Sequence, residues 1–337
     1  MRFLALPVAL ATLTLLAATS ASAQTKIKVA DSFPTGHFLA RYLTTPMMDR
    51  LKADPAYKDF QFEYFPAEQM GKAKDLLQLV QNGVVDIAYV APGFVSDKMP
   101  LAVVPELPLP TSGSCAASKA YWALAKPGGM LDKLEFAPNG VRLLYTVVLP
   151  PYQVFTRKPI DNLASLDGLK IRASGSAKEL LLRKVKAVPV LMPTPEVYES
   201  LSRGTMDGVL FPIASTQAYG IDKLAKHATL GENFGAFVAN WVISEKRFQS
   251  LPPKMQADLT AMGDEYVNRV CAQIENDEAG DIEKIKASGV KFAPLSAADR
   301  ATLNKGSAEV AAEWAQTLDK RGKPGTEVLN ALKAGIK

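Results

Sequence analysis

The chain has very little of the chemistry that enzymes and metal proteins usually require. Its 337 residues include two histidines, His37 and His227, and two cysteines, Cys115 and Cys271. No His-x-x-His, His-Glu-x-x-His or Cys-x-x-Cys spacing occurs, which argues against a metal site. The Gly-x-Ser-x-Gly elbow, the Gly-x-Gly-x-x-Gly turn and the phosphate-loop lysine are missing too, and a histidine-based triad has few places to lie. We therefore expect a protein that is not an enzyme and needs no cofactor and no metal.

Basic runs, repeats and low-complexity segments are also absent from the sequence. The net charge of +5 comes from Lys and Arg residues that are spread among acidic ones, whereas nucleic-acid binding needs a basic patch. A structural or adhesion protein would usually show repeats. With 48% hydrophobic and 22% charged residues the chain is globular, and its length suits two domains of about 150 residues. We expect no nucleic-acid partner.

Beyond the first 23 residues, no apolar run is long enough to cross a bilayer. A short basic start precedes an apolar stretch over residues 3–19, and Ala21-Ser22-Ala23 matches an Ala-x-Ala cleavage site. These features predict a secretory signal peptide over residues 1–23 and export to the periplasm. Export permits a disulfide between Cys115 and Cys271, and two free buried thiols are the alternative that the sequence leaves open.

Strand and helix patterns alternate along the chain. Residues 60–65 alternate apolar and polar side chains as a half-buried strand does, and residues 84–90 form a short apolar run. The spacing of apolar residues predicts helices over 38–51 and 73–81 and one long amphipathic helix over 252–288. Such alternation predicts open α/β sheets, which bind ligands beyond the carboxyl ends of their strands.

The most specific motifs lie between residues 159 and 212. A short apolar strand, Gly168-Leu169-Lys170-Ile171-Arg172, ends on an arginine and is followed by Tyr198-Glu199-Ser200-Leu201-Ser202-Arg203-Gly204-Thr205-Met206-Asp207-Gly208. Arginine is always charged, and its planar fork of donors matches a carboxylate. Together with Pro66-Ala67-Glu68-Gln69-Met70-Gly71 and residues 79–87 upstream, these segments resemble the DctP-type extracytoplasmic solute receptors of TRAP transporters. The resemblance covers essentially the whole chain after the signal peptide.

This resemblance implies an α/β, two-lobe, periplasmic-binding-protein-like fold with mixed or parallel sheets, an interdomain ligand cleft and a long helix spanning both lobes. It places lobe I at residues 24–149 plus 238–277, and lobe II at residues 150–237 plus 278–337. It further implies a monomer that captures a small organic acid and delivers it to TRAP membrane subunits. Two alternatives stay open: a secreted α/β enzyme of the hydrolase or thiol-dependent kind, with Cys115 as its nucleophile, and a receptor that presents its ligand to a sensor protein.

Arg172 is the predicted anchor of the ligand carboxylate, with a structural salt bridge as the alternative explanation. Tyr152 stands where the sialic-acid branch of the family has a second arginine, and Phe211 replaces an asparagine that is common before Pro212. Both exchanges add aromatic surface. The sequence therefore favours a smaller or more apolar acid over sialic acid and the sugar acids.

The loops after the first three strands supply further candidates for ligand contact, because in the family these loops face the ligand. Phe33 and His37 follow the first strand, Glu68 follows the second and Phe94 follows the third. Helix capping is the alternative explanation for Glu68, and core packing is the alternative for Phe33 and Trp241. The remaining predicted ligand contacts are Gln153, Asn240 and Trp241.

Overall fold

A computed structural model of the chain describes residues 24–111 and 113–336, so the predicted signal peptide lies outside the described residues. A five-stranded sheet organises one part of the molecule, which we call lobe I. Its spatial order is β2 (Phe60–Phe65), β1 (Thr25–Ala30), β3 (Ile87–Val90), β10 (Val238–Ser244) and β4 (Val141–Val148). β1 is parallel to β2 and β3, whereas β10 is antiparallel to both of its neighbours.

A six-stranded sheet organises the other part, which we call lobe II. Its spatial order is β11 (Lys291–Ala293), β9 (His227–Thr229), β5 (Gln153–Thr156), β8 (Gly208–Phe211), β6 (Lys170–Ala173) and β7 (Val188–Leu191). β6 is parallel to β7 and β8, and β5 is antiparallel to β8 and β9. The predicted two-lobe α/β fold with mixed sheets is confirmed.

Helices cover both sheets. They are α1 (Thr45–Ala53), α2 (Leu76–Gln81), α3 (Ser114–Ala125), α4 (Ser176–Lys184), α5 (Val197–Ser202), α6 (Ile221–Leu224), α7 (Glu245–Gln249), α8 (Pro253–Ala287), α9 (Ala297–Lys320) and α10 (Gly325–Gly335). α8 packs against β4 and α3 in lobe I and against the Ile213–Ser215 turn in lobe II. The prediction of one long helix over 252–288 that spans both lobes is therefore confirmed. Within residues 24–111 and 113–336, no helix is both long and apolar enough to cross a membrane.

The helix predicted over residues 38–51 is interrupted. A wider π-helical turn covers Ala40–Thr44 before α1 begins, and the amide of Thr45 donates to the carbonyl of Ala40. Pro46 has no amide hydrogen, so the carbonyl of Tyr42 receives no α-helical bond from it. That carbonyl instead accepts a hydrogen bond from Arg269 of α8 at 3.2 Å. The proline thus explains the departure from a regular helix.

A disulfide joins Cys115 of α3 to Cys271 of α8. It links two helices of lobe I that pack against each other. These are the two cysteines of the chain, so both sulfur atoms are engaged. The thiol-dependent enzyme alternative therefore loses its candidate nucleophile, Cys115.

Candidate ligand-binding cleft

A small cavity lies between the two lobes, at the carboxyl ends of strands from both sheets. Its volume is about 20 Å³, room for roughly one or two waters. Its lining is largely aromatic, with a few hydroxyl groups: Ser32, Phe33, His37, Leu39, Tyr89, Leu149, Tyr152, Thr194, Phe211, Pro212, Ser215, Tyr219 and Phe237. The lobes are therefore closed on each other, and a larger ligand enters only if they separate.

Arg172 lies directly behind the lining of this cavity, fully buried in β6 between β7 and β8, and it contacts the lining residues Tyr152, Thr194 and Phe211. Its guanidinium donates to the carbonyl of Met192 at 2.9 Å, to the hydroxyl of Thr194 at 3.0 Å and to the carbonyl of Leu210 at 3.3 Å. Burial lowers the pKa of Arg172, and the neighbouring Tyr152 acts in the opposite direction. All three acceptors are neutral oxygens, so the positive charge has no carboxylate partner among these bonds.

Tyr152 and Phe211 form an aromatic wall next to Arg172. Tyr152 directly precedes β5 and Phe211 ends β8, and the register of these antiparallel strands brings their ring centroids to 6.5 Å. The guanidinium carbon lies 5.7 Å from the centroid of the Phe211 ring. Burial raises the pKa of the Tyr152 hydroxyl, against the lowering effect of Arg172, so the hydroxyl stays protonated and available as a donor.

His37 connects the lobes on the opposite side of the cavity. Its ring stacks on Phe33 with centroids 4.7 Å apart, and its Nε2 lies 3.0 Å from the hydroxyl of Ser215 in lobe II. Nδ1 accepts the amide hydrogen of Leu39 at 3.3 Å, so Nε2 carries the hydrogen and donates to Ser215. Burial, assisted by the charge of Arg41, lowers the pKa of His37 to about 3, and the ring is neutral.

The predicted contacts Glu68 and Phe94 lie outside the cavity lining. Glu68 accepts the amide hydrogen of Ala73 at 2.8 Å and forms an ion pair with Lys72 at 3.1 Å, which caps the following helical turn. Phe94 packs on Phe237 with ring centroids 5.8 Å apart. Phe237 lines the cavity, so Phe94 supports that lining from behind.

Trp241 and Asn240 lie fully buried in β10, inside lobe I. The indole nitrogen of Trp241 donates to the hydroxyl of Thr44 at 3.0 Å, and its ring centroid lies 6.0 Å from that of Phe33. The side-chain oxygen of Asn240 accepts from the hydroxyl of Thr146 at 2.7 Å. Trp241 supports the lobe I wall of the cavity through Phe33, whereas the side chain of Asn240 bonds inside lobe I.

Gln153 faces a different depression. Its amide nitrogen donates to the carbonyl of Glu232 at 2.7 Å, and its oxygen accepts from Thr229 at 2.9 Å. It lines an open groove of about 970 Å³ that also includes Lys333. Two carboxylates, Glu232 and Glu278, also line this groove, whereas the buried Arg172 lies directly behind the smaller cavity. The smaller cavity therefore has the better chemistry for a carboxylate.

Sequence reasoning missed a buried ion pair between the lobes. Lys178 of α4 donates to Glu106 of lobe I at 2.7 Å and to the carbonyl of Ala236 at 2.5 Å, and neither charged side chain is exposed. Lys178 lies in the first turn of α4, where the helix dipole disfavours a positive charge. That unfavourable placement was a readable signal in the sequence.

The cavity also uses tyrosines that sequence reasoning did not select. Tyr89 lies near the end of β3, and Tyr219 follows the turn after β8. The ring of Tyr219 packs edge-on against Phe211, with centroids 5.6 Å apart. The rule that selects strand ends would have found Tyr89, whereas Tyr219 lies eight residues beyond the end of its strand, Phe211.

Comparisons with known proteins agree with this architecture. Residues 47–317 match the family model of bacterial extracellular solute-binding protein family 7, DctP. The C4-dicarboxylate-binding periplasmic protein of Rhodobacter capsulatus is 28% identical over 295 residues, covering 81% of this chain and 80% of that protein. A TRAP solute-binding protein from Rhodoferax ferrireducens T118, in complex with copurified benzoate, matches with a TM-score of 0.83 at 22% identity, over 93% of this chain and 97% of that one.

A second solved structure matches almost as well. The TRAP periplasmic solute-binding protein of Bordetella bronchiseptica with bound (R)- and (S)-mandelate has a TM-score of 0.82 at 22% identity, over 93% of this chain and 98% of that one. The likeness extends over both lobes and the helix that connects them. The family match covers most of the chain and agrees with the motifs around Arg172. The chain belongs to bacterial extracellular solute-binding protein family 7, the DctP family.

Proposed function

We propose that this chain is the substrate-binding subunit of a TRAP-type transporter and captures a small organic acid in the cleft between its lobes. One observation carries the proposal: Arg172 is fully buried, and its hydrogen-bond acceptors are all neutral oxygens. A buried charge is costly unless it is paired. A ligand carboxylate that binds the guanidinium in bidentate fashion would supply the missing partner.

The walls of the cleft favour an acid with an apolar or aromatic body. Phe33, Tyr152 and Phe211 present rings on both sides of the cavity, and flat ring surfaces pack well against a ligand ring. Benzoate and mandelate, the ligands of two structural neighbours, are acids of this kind. We infer that Arg172 holds the carboxylate while Tyr152, Phe211, Phe33 and His37 surround the remainder of the ligand.

Lobe closure would couple to binding. Separation of the lobes would break the His37–Ser215 and Lys178–Glu106 contacts, which both cross the cleft. Closure around a ligand removes water from Arg172, and electrostatic attraction strengthens as the local dielectric falls. The membrane subunits of the transporter would then recognise the closed, loaded form.

The proposal extends to the organisation of the exported protein. We infer that residues 1–23 are removed on export to the periplasm. The mature chain would then fold as lobe I, residues 24–149 plus 238–277, and lobe II, residues 150–237 plus 278–337. It would act as a monomer without catalytic activity and hand its ligand to the membrane subunits.

Calorimetric titration of the mature protein with benzoate, mandelate, pyroglutamate, succinate, neutral sugars and amines tests the proposal. We expect an acid to bind, and Arg172→Ala to weaken that binding at least 100-fold, because loss of one partner of a buried charge pair costs about 3 kcal/mol. Arg183→Ala removes an arginine that is 61% exposed on α4 and serves as the matched control. Wild-type affinity in Arg172→Ala would refute the assignment.

A further inference from the structure

We propose that Glu106 determines the charge of the ligand that this cleft accepts. By neutralising Lys178 behind Tyr152, Glu106 leaves Arg172 as the uncompensated cation, so the cleft selects acids that carry one negative charge. This inference rests on the proposed function and adds a selection rule to it. Aromatic walls alone do not distinguish benzoate from an aromatic dicarboxylate.

The Lys178–Glu106 ion pair is separated from the cavity by the ring of Tyr152. The ammonium nitrogen of Lys178 is 5.2 Å from the centroid of the Tyr152 ring, and Tyr152 lines the cavity beside Arg172. The same nitrogen lies 2.7 Å from a carboxylate oxygen of Glu106. A second cation is therefore present next to the cleft, and its effect on a ligand depends on Glu106.

At three glycines the backbone packs closely against the Lys178–Glu106 ion pair. A Cβ on Gly93 would lie 2.8 Å from a carboxylate oxygen of Glu106, and one on Gly175 would lie 3.2 Å from the same oxygen. A Cβ on Gly235 would lie 2.6 Å from the carbonyl of Glu106. The backbone therefore excludes water from both charges, and charges without water around them act over longer distances.

The charge count favours a monoanion. The net charge of Lys178 and Glu106 together is zero whichever of them holds the shared proton. His37 is neutral, and Asp31 of lobe I, which accepts hydrogen bonds from two hydroxyls and an amide, adds no positive charge. Arg172 therefore offers one positive charge to the ligand. A second carboxylate on the ligand would be buried without a cation, which is costly.

The test compares matched acids with one and two carboxylates. Calorimetry at pH 7.5 gives the affinities of the wild-type protein for benzoate and for the isomeric phthalates, or for butyrate and succinate if aliphatic acids bind instead. We expect the wild type to prefer the monocarboxylate. In Glu106→Gln the affinity ratio should shift at least tenfold toward the dicarboxylate, which corresponds to about 1.4 kcal/mol. Because the substitution changes the free energy of lobe closure equally for both ligands, that change cancels in the ratio of their affinities.

Two further variants keep the outcome decisive. The double variant Glu106→Gln with Lys178→Met should return the ratio to the wild-type value, because both charges are gone. If Glu106→Gln does not fold, Lys178→Met leaves a buried negative charge and should shift the ratio toward the monocarboxylate. A wild type that prefers the dicarboxylate, or a ratio unchanged in both single variants, overturns the inference while the proposed function stands. A wild type that binds no acid overturns the proposed function itself.

Discussion

Two fully buried cations of lobe II, Arg172 and Lys178, both lie next to Tyr152 and differ in their partners. Lys178 meets a carboxylate, Glu106, across the lobe contact. Arg172 meets two carbonyls and one hydroxyl. A buried charge without an opposite charge is tolerated only where something supplies the partner. The difference separates a cation that is paired within the protein from one that, under the proposed function, the ligand would pair.

Removal of Lys178 should have the largest effect on this comparison. Lys178→Met would bury Glu106 without a cation each time the lobes close, and a broken buried pair costs about 3 kcal/mol. We expect ligand affinity to fall about 100-fold, measured by calorimetry with the acid that the wild type binds. Adding Glu106→Leu should recover most of the loss, because no charge is then left unpaired. If the single and double variants lose the same amount of ligand affinity, the loss does not come from leaving Glu106 without its cation.

Gly93→Ala tests how closely the lobes must approach around Glu106. The added methyl group would lie 2.8 Å from the Glu106 carboxylate and 3.0 Å from the carbonyl of Ser174 in lobe II, so closure would have to displace one of them. Overpacking of this kind costs about 1–3 kcal/mol, and we expect affinity to fall about tenfold or more. Gly280→Ala is the control, because no atom lies within 4 Å of its added methyl. Similar affinities in the two variants would contradict a tight lobe contact.

The His37–Ser215 contact between the lobes is neutral, unlike the Lys178–Glu106 ion pair. Its contribution to ligand affinity should depend on pH. Burial lowers the pKa of His37 to about 3 in the closed protein, whereas a hydrated histidine titrates near 6.5. Closure thus requires the neutral ring, so affinity is full above pH 6.5 and is lost as pH falls. From pH 7.5 to pH 5.5 we expect about a tenfold loss from this group.

The control for this pH dependence is His37→Gln, which keeps a donor for Ser215 and does not titrate. Asp31 of lobe I, whose pKa burial raises to about 6, also titrates within this pH range. The informative quantity is therefore the difference between wild type and variant, measured by calorimetry at pH 5.5, 6.5 and 7.5. Parallel pH profiles for the two proteins would mean that His37 stays hydrated when the lobes close.

Much of the fold follows from local patterns. The strand predicted over residues 60–65 is β2, and the long amphipathic pattern over 252–288 is α8. The strand predicted over 84–90 begins only at Ile87, because Gly83 has a φ of +70° and the chain is still turning after α2. Such patterns report which face of an element is buried and say less about where the element starts.

The candidate site was less accessible to sequence reasoning. Arg172, Tyr152 and Phe211 do meet at one wall, because strand ends in one sheet are close in space whatever their separation along the chain. Asn240 and Gln153 come from the same kinds of position, yet their side chains bond within lobe I and lobe II respectively. Which side of a strand a polar residue faces depends on its neighbours in the sheet, and those are set by topology.

The sequence by itself determined the family, the alternation of strands and helices and the arginine that ends β6, since each is written in a contiguous run of residues. Only the tertiary structure decided that Cys115 bonds to Cys271 and that Lys178 meets Glu106, 72 residues away. It also decided that Arg172 bonds to two carbonyls and a hydroxyl, and to no carboxylate within the part of the chain that the structure describes. The Lys178–Glu106 contact depends on how the two lobes close on each other, whereas the disulfide and the hydrogen bonds of Arg172 depend on packing within one lobe. None of these contacts is written in a contiguous run of residues.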